Sequence, residues 1–176
     1  MFRFKSKAED RTVTLAPDFF ALEFESYDSW HTFSEALGSV FGAVQQVYDI
    51  PYSTRIGLRY VNILTLENTK TASLDDMCSI LRDELVTMLR ISEIEGPYLL
   101  KLQIRTEVGD GHFAFRFGLN EDRENEFRLD FDRYIEGEVE VDDLLQRCER
   151  YHHMIYNAFR WSIANDKLDI FEPADS

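Results

Sequence analysis

The chain has 176 residues, 44% hydrophobic and 30% charged, a globular composition with enough apolar mass for one ordinary core. Its formal net charge of −14 makes a field that repels phosphate backbones and anionic membrane surfaces, which argues against nucleic acid or membrane as a generic partner. No run approaches the roughly 18 apolar residues of a membrane span, and the opening "MFRFKSKAED" lacks the apolar stretch of a signal peptide, so a cytoplasmic protein is expected.

"FRFKS" (2–6) and "TVTLA" (12–16) alternate as strands, with "KAEDR" as the turn between them. "FFALEFE" (19–25) alternates again, with Phe20, Leu22 and Phe24 on one face. A helix follows over about 27–48. Trp30, Phe33, Leu37, Phe41, Val44 and Tyr48 recur on one side of it, and Ser26, Asp28 or Ser29 is placed to cap it. Pro51 closes that segment and "TRIGLRYVNIL" continues as a strand. "ENTKTAS" (67–73) reads as a polar loop. Ser73 with Asp76 then opens a second helix, whose stripe is Met77, Ile80, Leu81, Leu85, Met88 and Leu89, ended by "EGP" (95–97).

Three strands are expected next, at about 98–107, 112–119 and 126–135. Their inner faces are Leu100, Leu102, Ile104; Phe113, Phe115, Phe117; and Phe127, Leu129, Phe131. "VGDG" (108–111) is a strong hairpin signal. A last helix over about 142–164 buries Leu145, Cys148, His152, Ile155, Phe159 and Ile163, and the tail is a short ordered segment with a frayed acidic end. The sum is an α+β fold in one domain over 1–176: a large, mostly antiparallel sheet with three main helices packed mainly on one face. Cys78 and Cys148 lie on helix faces without CxxC spacing and read as reduced core thiols.

The most unusual stretch is "RIGLRYVN" (55–62). In a strand, Ile56, Leu58 and Tyr60 face the core, while Arg55, Gly57, Arg59 and Val61 face the other way. "FRLDFDRYI" sends Arg128, Asp130, Asp132 and Tyr134 to that same outer side. "LLKLQIRTE" adds Lys101, Gln103, Arg105 and Glu107, and "HFAFRFG" adds His112 and Arg116. Two outcomes fit this pattern. One is an open, solvated face with cross-strand ion pairs contributing roughly 0.2–1 kcal/mol each. The other is an arginine-lined concavity for an anionic ligand, with Arg55, Arg59, Arg105, Arg116, Asp130 and Asp132 as its residues, because the guanidinium fork grips carboxylate or phosphate at two points. Gly57 would let a ligand approach the backbone.

Catalytic and metal signatures are missing from the sequence. There is no HExxH, no phosphate-binding glycine loop and no GxSxG elbow. Four His and two scattered Cys make no ligand set, so neither metal nor cofactor is implied. His152 reads as a hydrogen-bonded core residue.

"YDSWHTF", "RIGLRYVN", "LDFD" and "YHHMIYNAFRWSI" occur in an order that resembles a sporadically distributed bacterial family of uncharacterised proteins sharing an RxGLRYxN strand. The resemblance runs from "FRFKS" to "FRWSI". It implies no catalytic residues and no cofactor. It also implies a further strand and helix ahead of "FRFKS", lacking here, which would leave a sheet edge open to pairing with a second copy.

The functional expectation is an acidic, non-enzymatic module that docks a protein partner, a basic one as the net charge suggests, and self-associates. The alternative is a small-ligand or nucleotide-binding domain, enzymatic or not, working from the outer sheet face. A third reading is a nucleic-acid mimic or nuclease inhibitor, suggested by Glu121, Asp122, Glu124 and Glu126.

Overall fold

The computed structural model describes residues 1–87, 101–119 and 126–171. The fold is α+β, with antiparallel sheets and helices. The strands divide between a three-stranded and a four-stranded sheet rather than forming one large one. The described chain separates into two compact units, one made of 1–54 with 138–149, the other of 55–137 with 150–176.

In the first unit β1 (Phe2–Lys5), β2 (Arg11–Leu15) and β3 (Phe20–Phe24) form an antiparallel meander. The register sets Phe4 opposite Val13 and Val13 opposite Leu22, so the apolar residues share one face. Helix α1 (Trp30–Val47) lies on the β3 part of that face, Phe41 stacking on Phe20 and Phe33 meeting Phe24 edge-on. Ser29 caps α1, its hydroxyl accepting from the Thr32 amide. Of the stripe expected on α1, Leu37 and Val44 are buried, whereas Tyr48, the residue that ends the helix, is 50% exposed. At β1 the apolar face stays open, with Phe2 69% and Phe4 57% exposed.

The second unit is built on the sheet ordered β4-β7-β6-β5, formed by β4 (Tyr52–Thr65), β5 (Lys101–Val108), β6 (Gly111–Leu119) and β7 (Glu126–Glu140). The β5–β6 hairpin turns at Gly109 and Asp110, where Gly109 takes a φ of +58°, as the "VGDG" signal requires. The apolar face carries Ile56, Leu58, Phe115, Phe117, Phe127, Leu129 and Phe131, all buried. Phe115 and Phe131, directly opposite in register, stack at 4.7 Å between centroids and 4° between planes. Ile104 departs from this pattern and is 56% exposed, because β5 is the outermost strand of its sheet. Leu100, Met88 and Leu89 lie outside the described residues.

Over its described part, 74–87, the expected second helix is broken into short helices, and residues 88–97 lie outside the described residues. The "ENTKTAS" region starts with α2 (Leu66–Thr69), closed by a reciprocal cap between Thr65 and Asn68. Then come α3 (Leu74–Cys78), capped by Ser73, and α4 (Asp83–Val86). The break has a backbone cause: Leu81 forms a bridge with Ile163, the Arg82 amide donates to the Ser162 carbonyl, and the Ala164 amide donates to the Ile80 carbonyl. Groups used in that pairing cannot also close helical turns.

The last helix, α5 (Leu144–Ser162), is present, but its buried stripe is turned by about one residue from the expected one. Leu144, Cys148, Tyr151, Ile155 and Ser162 are buried, while Leu145 is 43% exposed. Asn165–Ile170 adds a 3-10 turn, and residues 172–176 lie outside the described part. Cys78 and Cys148 are both buried and not in a disulfide; burial pushes the Cys148 thiol up to about 11. Among the described residues no helix is long and apolar enough to cross a membrane.

Candidate functional site

Strand alternation brings the polar residues of four strands to one side of the second unit's sheet. Register sets Arg116 opposite Asp130, Ala114 opposite Asp132 and His112 opposite Tyr134, with Gln103 and Arg105 opposite Arg116 and Ala114 on the far side. Contacts from β4 to β7 run in opposite senses: Asn62 donates to the Leu129 carbonyl, Gly57 lies against Tyr134, and Arg55 reaches Asp132 and Glu136. Arg55, Arg59, Arg105, Arg116, Asp130 and Asp132 therefore do share one face, together with Arg128, Tyr134 and Glu136.

The face is not an open lawn of exposed ion pairs. Asp130 is 1% exposed and Asp132 8%, although both point away from the apolar core. Arg59 grips Asp130 with two parallel bonds, Nε to Oδ1 at 2.8 Å and Nη2 to Oδ2 at 2.6 Å. Arg128 Nη2 reaches Oδ2 at 3.3 Å and Arg116 Nη1 reaches Oδ1 at 3.5 Å. One carboxylate thus anchors three guanidinium groups. Their side chains remain 49%, 46% and 37% exposed for Arg59, Arg128 and Arg116. The small residues Ala114 and Gly118 beside Arg116 are buried.

Burial pushes the Asp130 carboxyl up, but the hydrogen bonds and charge of Arg59, with the charges of Arg116 and Arg128, outweigh that and hold it below the usual carboxylate range. The hydrogen bond to Asp130 correspondingly raises Arg59.

A second group forms around Tyr134, four residues along β7. Arg55 lies over its ring at 4.4 Å and Arg105 at 5.6 Å. Arg55 Nη2 donates to Asp132 at 3.3 Å, and Glu136 lies 3.9 Å from Arg55 and 3.8 Å from Arg105. Gly57 has a different use from the one expected. A Cβ there would stand 3.0 Å from the Tyr134 Cβ, so the glycine admits the tyrosine, not a ligand.

On the opposite face, Arg133 is 3% exposed and sits under α5, with its guanidinium 4.6 Å from the Tyr151 ring. It donates to the carbonyls of Val108, His112 and Tyr134 and to Asp110, tying the β5–β6 turn to β7. Extending the alternation of "FRLDFDRYI" by one step would have found it as an inward arginine. Leu58 is buried as expected; Tyr60 is half-buried, its hydroxyl 3.1 Å from His152 Nδ1.

No group of three or more His, Cys, Asp or Glu gathers as a metal site among the described residues. Two shallow cavities, of about 390 and 450 Å³, lie elsewhere, around Arg82 and Asn165 and around Lys70 and Lys167. Glu121, Asp122 and Glu124 fall outside the described residues, and Glu126 is half-buried at the start of β7. Comparison with known proteins gives no match: no family model, no curated protein and no solved structure matches this chain.

Proposed function

We propose that the chain is a binding module that docks a protein partner, and that the polar face of the four-stranded sheet receives an extended acidic segment of it. The observation that carries this reading is a local inversion of charge. In a molecule of net charge −14, the six cations Arg55, Arg59, Lys101, Arg105, Arg116 and Arg128 share a face with the carboxylates Glu107, Glu126, Asp130, Asp132 and Glu136 among the described residues. The segment's charge is opposite to that of the basic partner suggested by composition, because at physiological salt a field decays over about 8 Å and a docked group responds to the face beneath it.

An extended segment suits the layout better than a small ligand. The Asp130 and Tyr134 groups are four strand residues apart, about 14 Å. Neither cavity opens on this face to enclose a nucleotide. The test is anisotropy of a labelled glutamate-rich peptide at low salt. Binding should weaken as salt rises and be lost in the double variant Arg105→Glu/Arg116→Glu, while Lys5→Glu leaves it intact. A peptide that fails to bind, or binds the double variant equally well, would sink the reading.

Self-association through β1 is the second reading. β1 ends the order of its sheet and holds Phe2 and Phe4 open to solvent. Sedimentation of the wild type beside Phe4→Lys tests it: a concentration-dependent dimer that the substitution abolishes is expected, and a monomer at all concentrations refutes it.

A further inference from the structure

Resting on the reading of that face as an anion-docking surface, we infer that Arg59, Arg116 and Arg128 form a receptor for a phosphomonoester carried on a side chain of the partner segment. The argument begins with Asp130. Buried and ionised, it holds nitrogens of three guanidinium groups within 3.5 Å of its two oxygens. Three positive charges around Asp130 leave an excess of two there, and Asp132, which also acts on Arg59, is engaged by Arg55. A carboxylate from Asp or Glu would neutralise half of that excess. A phosphomonoester carries close to two charges at pH 7 and three strong acceptor oxygens, so it meets both the charge and the number of forks.

Pre-organisation points the same way. Each of the three side chains is between 37% and 49% exposed, yet its guanidinium is tied to a carboxylate that is 1% exposed. An arginine already held in place loses little rotamer freedom when it closes on an anion. The three groups come from three strands, Arg59 on β4, Arg116 on β6 and Arg128 on β7, so their convergence is produced by the sheet and not by a run of basic sequence.

A phosphate in a nucleic-acid backbone fits less well. It carries one charge, not two, and so meets the excess at Asp130 less fully. Neither of the two cavities described above lies on this face to enclose a free nucleotide. A single phosphorylated Ser, Thr or Tyr in an extended segment avoids both objections. Asp130 does not contact the phosphate favourably; it positions the three arginines from below, and the ligand approaches from the solvent side.

The experiment is NMR detection of arginine side-chain Nε–H signals in the full chain, assigned with single Arg→Lys variants. Methyl phosphate and acetate are titrated at matched ionic strength, at pH 7.5 and pH 5. Methyl phosphate at pH 7.5 should shift the signals of Arg59, Arg116 and Arg128, binding about tenfold more tightly than acetate. That advantage should shrink at pH 5, below the second ionisation near 6, where the monoester keeps one charge. Arg116→Gln, which removes a half-exposed fork, should weaken methyl phosphate binding about tenfold with little change in melting temperature. Equal binding of acetate and methyl phosphate would overturn the phosphate receptor while leaving the anion-docking face in place. No shift with either anion would overturn both, and equal shifts at arginines all over the molecule would mark a nonspecific ionic effect and overturn the receptor as well.

Discussion

Asp130 and Phe131 are neighbours on β7, point to opposite faces of one sheet, and are both almost fully removed from water, at 1% and 0% exposure. The apolar face closes by shape: Phe115 stacks flat on Phe131, and Leu129 and Phe127 continue the layer. The polar face closes by charge: the ends of Arg59, Arg116 and Arg128 converge on Asp130. The first arrangement resists any loss of volume. The second is tolerant of loss at its rim, because three guanidinium groups share one carboxylate and each is partly solvated. A face built in the second way can remain intact while it presents unspent charge to a partner.

Substitutions on the two faces should separate these modes of closure. The largest effect belongs to Phe131→Ala, which deletes a stacked, fully buried ring; a loss of about 3–5 kcal/mol in chemical denaturation is expected. Asp130→Ala should cost less, about 2 kcal/mol, since the three stranded cations remain half open to water. If Asp130→Ala proved as costly as Phe131→Ala, the polar face would be a structural core and not a solvated platform.

The pH profile sharpens the same contrast. Asp130 has its carboxyl lowered in the folded chain relative to the unfolded one. Its contribution is therefore present above the unfolded value near 3.8 and is lost as pH falls through the lower folded value. Asp130→Asn should be less stable than the wild type above pH 4, and the gap should close in strong acid. A gap that stayed constant down to about pH 2 would contradict the assignment.

Arg59→Ala comes next, at about 1 kcal/mol, because Arg116 and Arg128 still face the buried carboxylate. This exceeds the cost of breaking a wholly exposed pair, the difference being the burial of Asp130. The smallest effect is expected for Leu145→Ala, at under about 0.5 kcal/mol, since that side chain is 43% exposed on α5. A loss of 2 kcal/mol or more there would restore the helix orientation expected from the sequence pattern.

Alternation by itself determined the facing of "RIGLRYVN" and "FRLDFDRYI", because a strand has a side-chain period of two and no tertiary contact changes it. The hairpin at "VGDG" and the Ser73 cap were equally legible, since each depends on residues within a few positions of one another, whereas spacing left Ser26, Asp28 and Ser29 open as the α1 cap that Ser29 provides. The α5 stripe was half legible: Cys148 and Ile155 sit where spacing puts them, but the choice between Leu144 and Leu145 depends on what packs against the helix. Three features were decided only in three dimensions. The strands sort into two sheets, because pairing partners are chosen by long-range contacts that periodicity does not encode. The helix expected after Ser73 breaks, because the Ile80 carbonyl accepts from the Ala164 amide and the Arg82 amide donates to the Ser162 carbonyl, some eighty residues away. And the outward aspartates are buried, because arginines from separate strands close over them, a consequence of register and side-chain length that no single stretch of sequence contains.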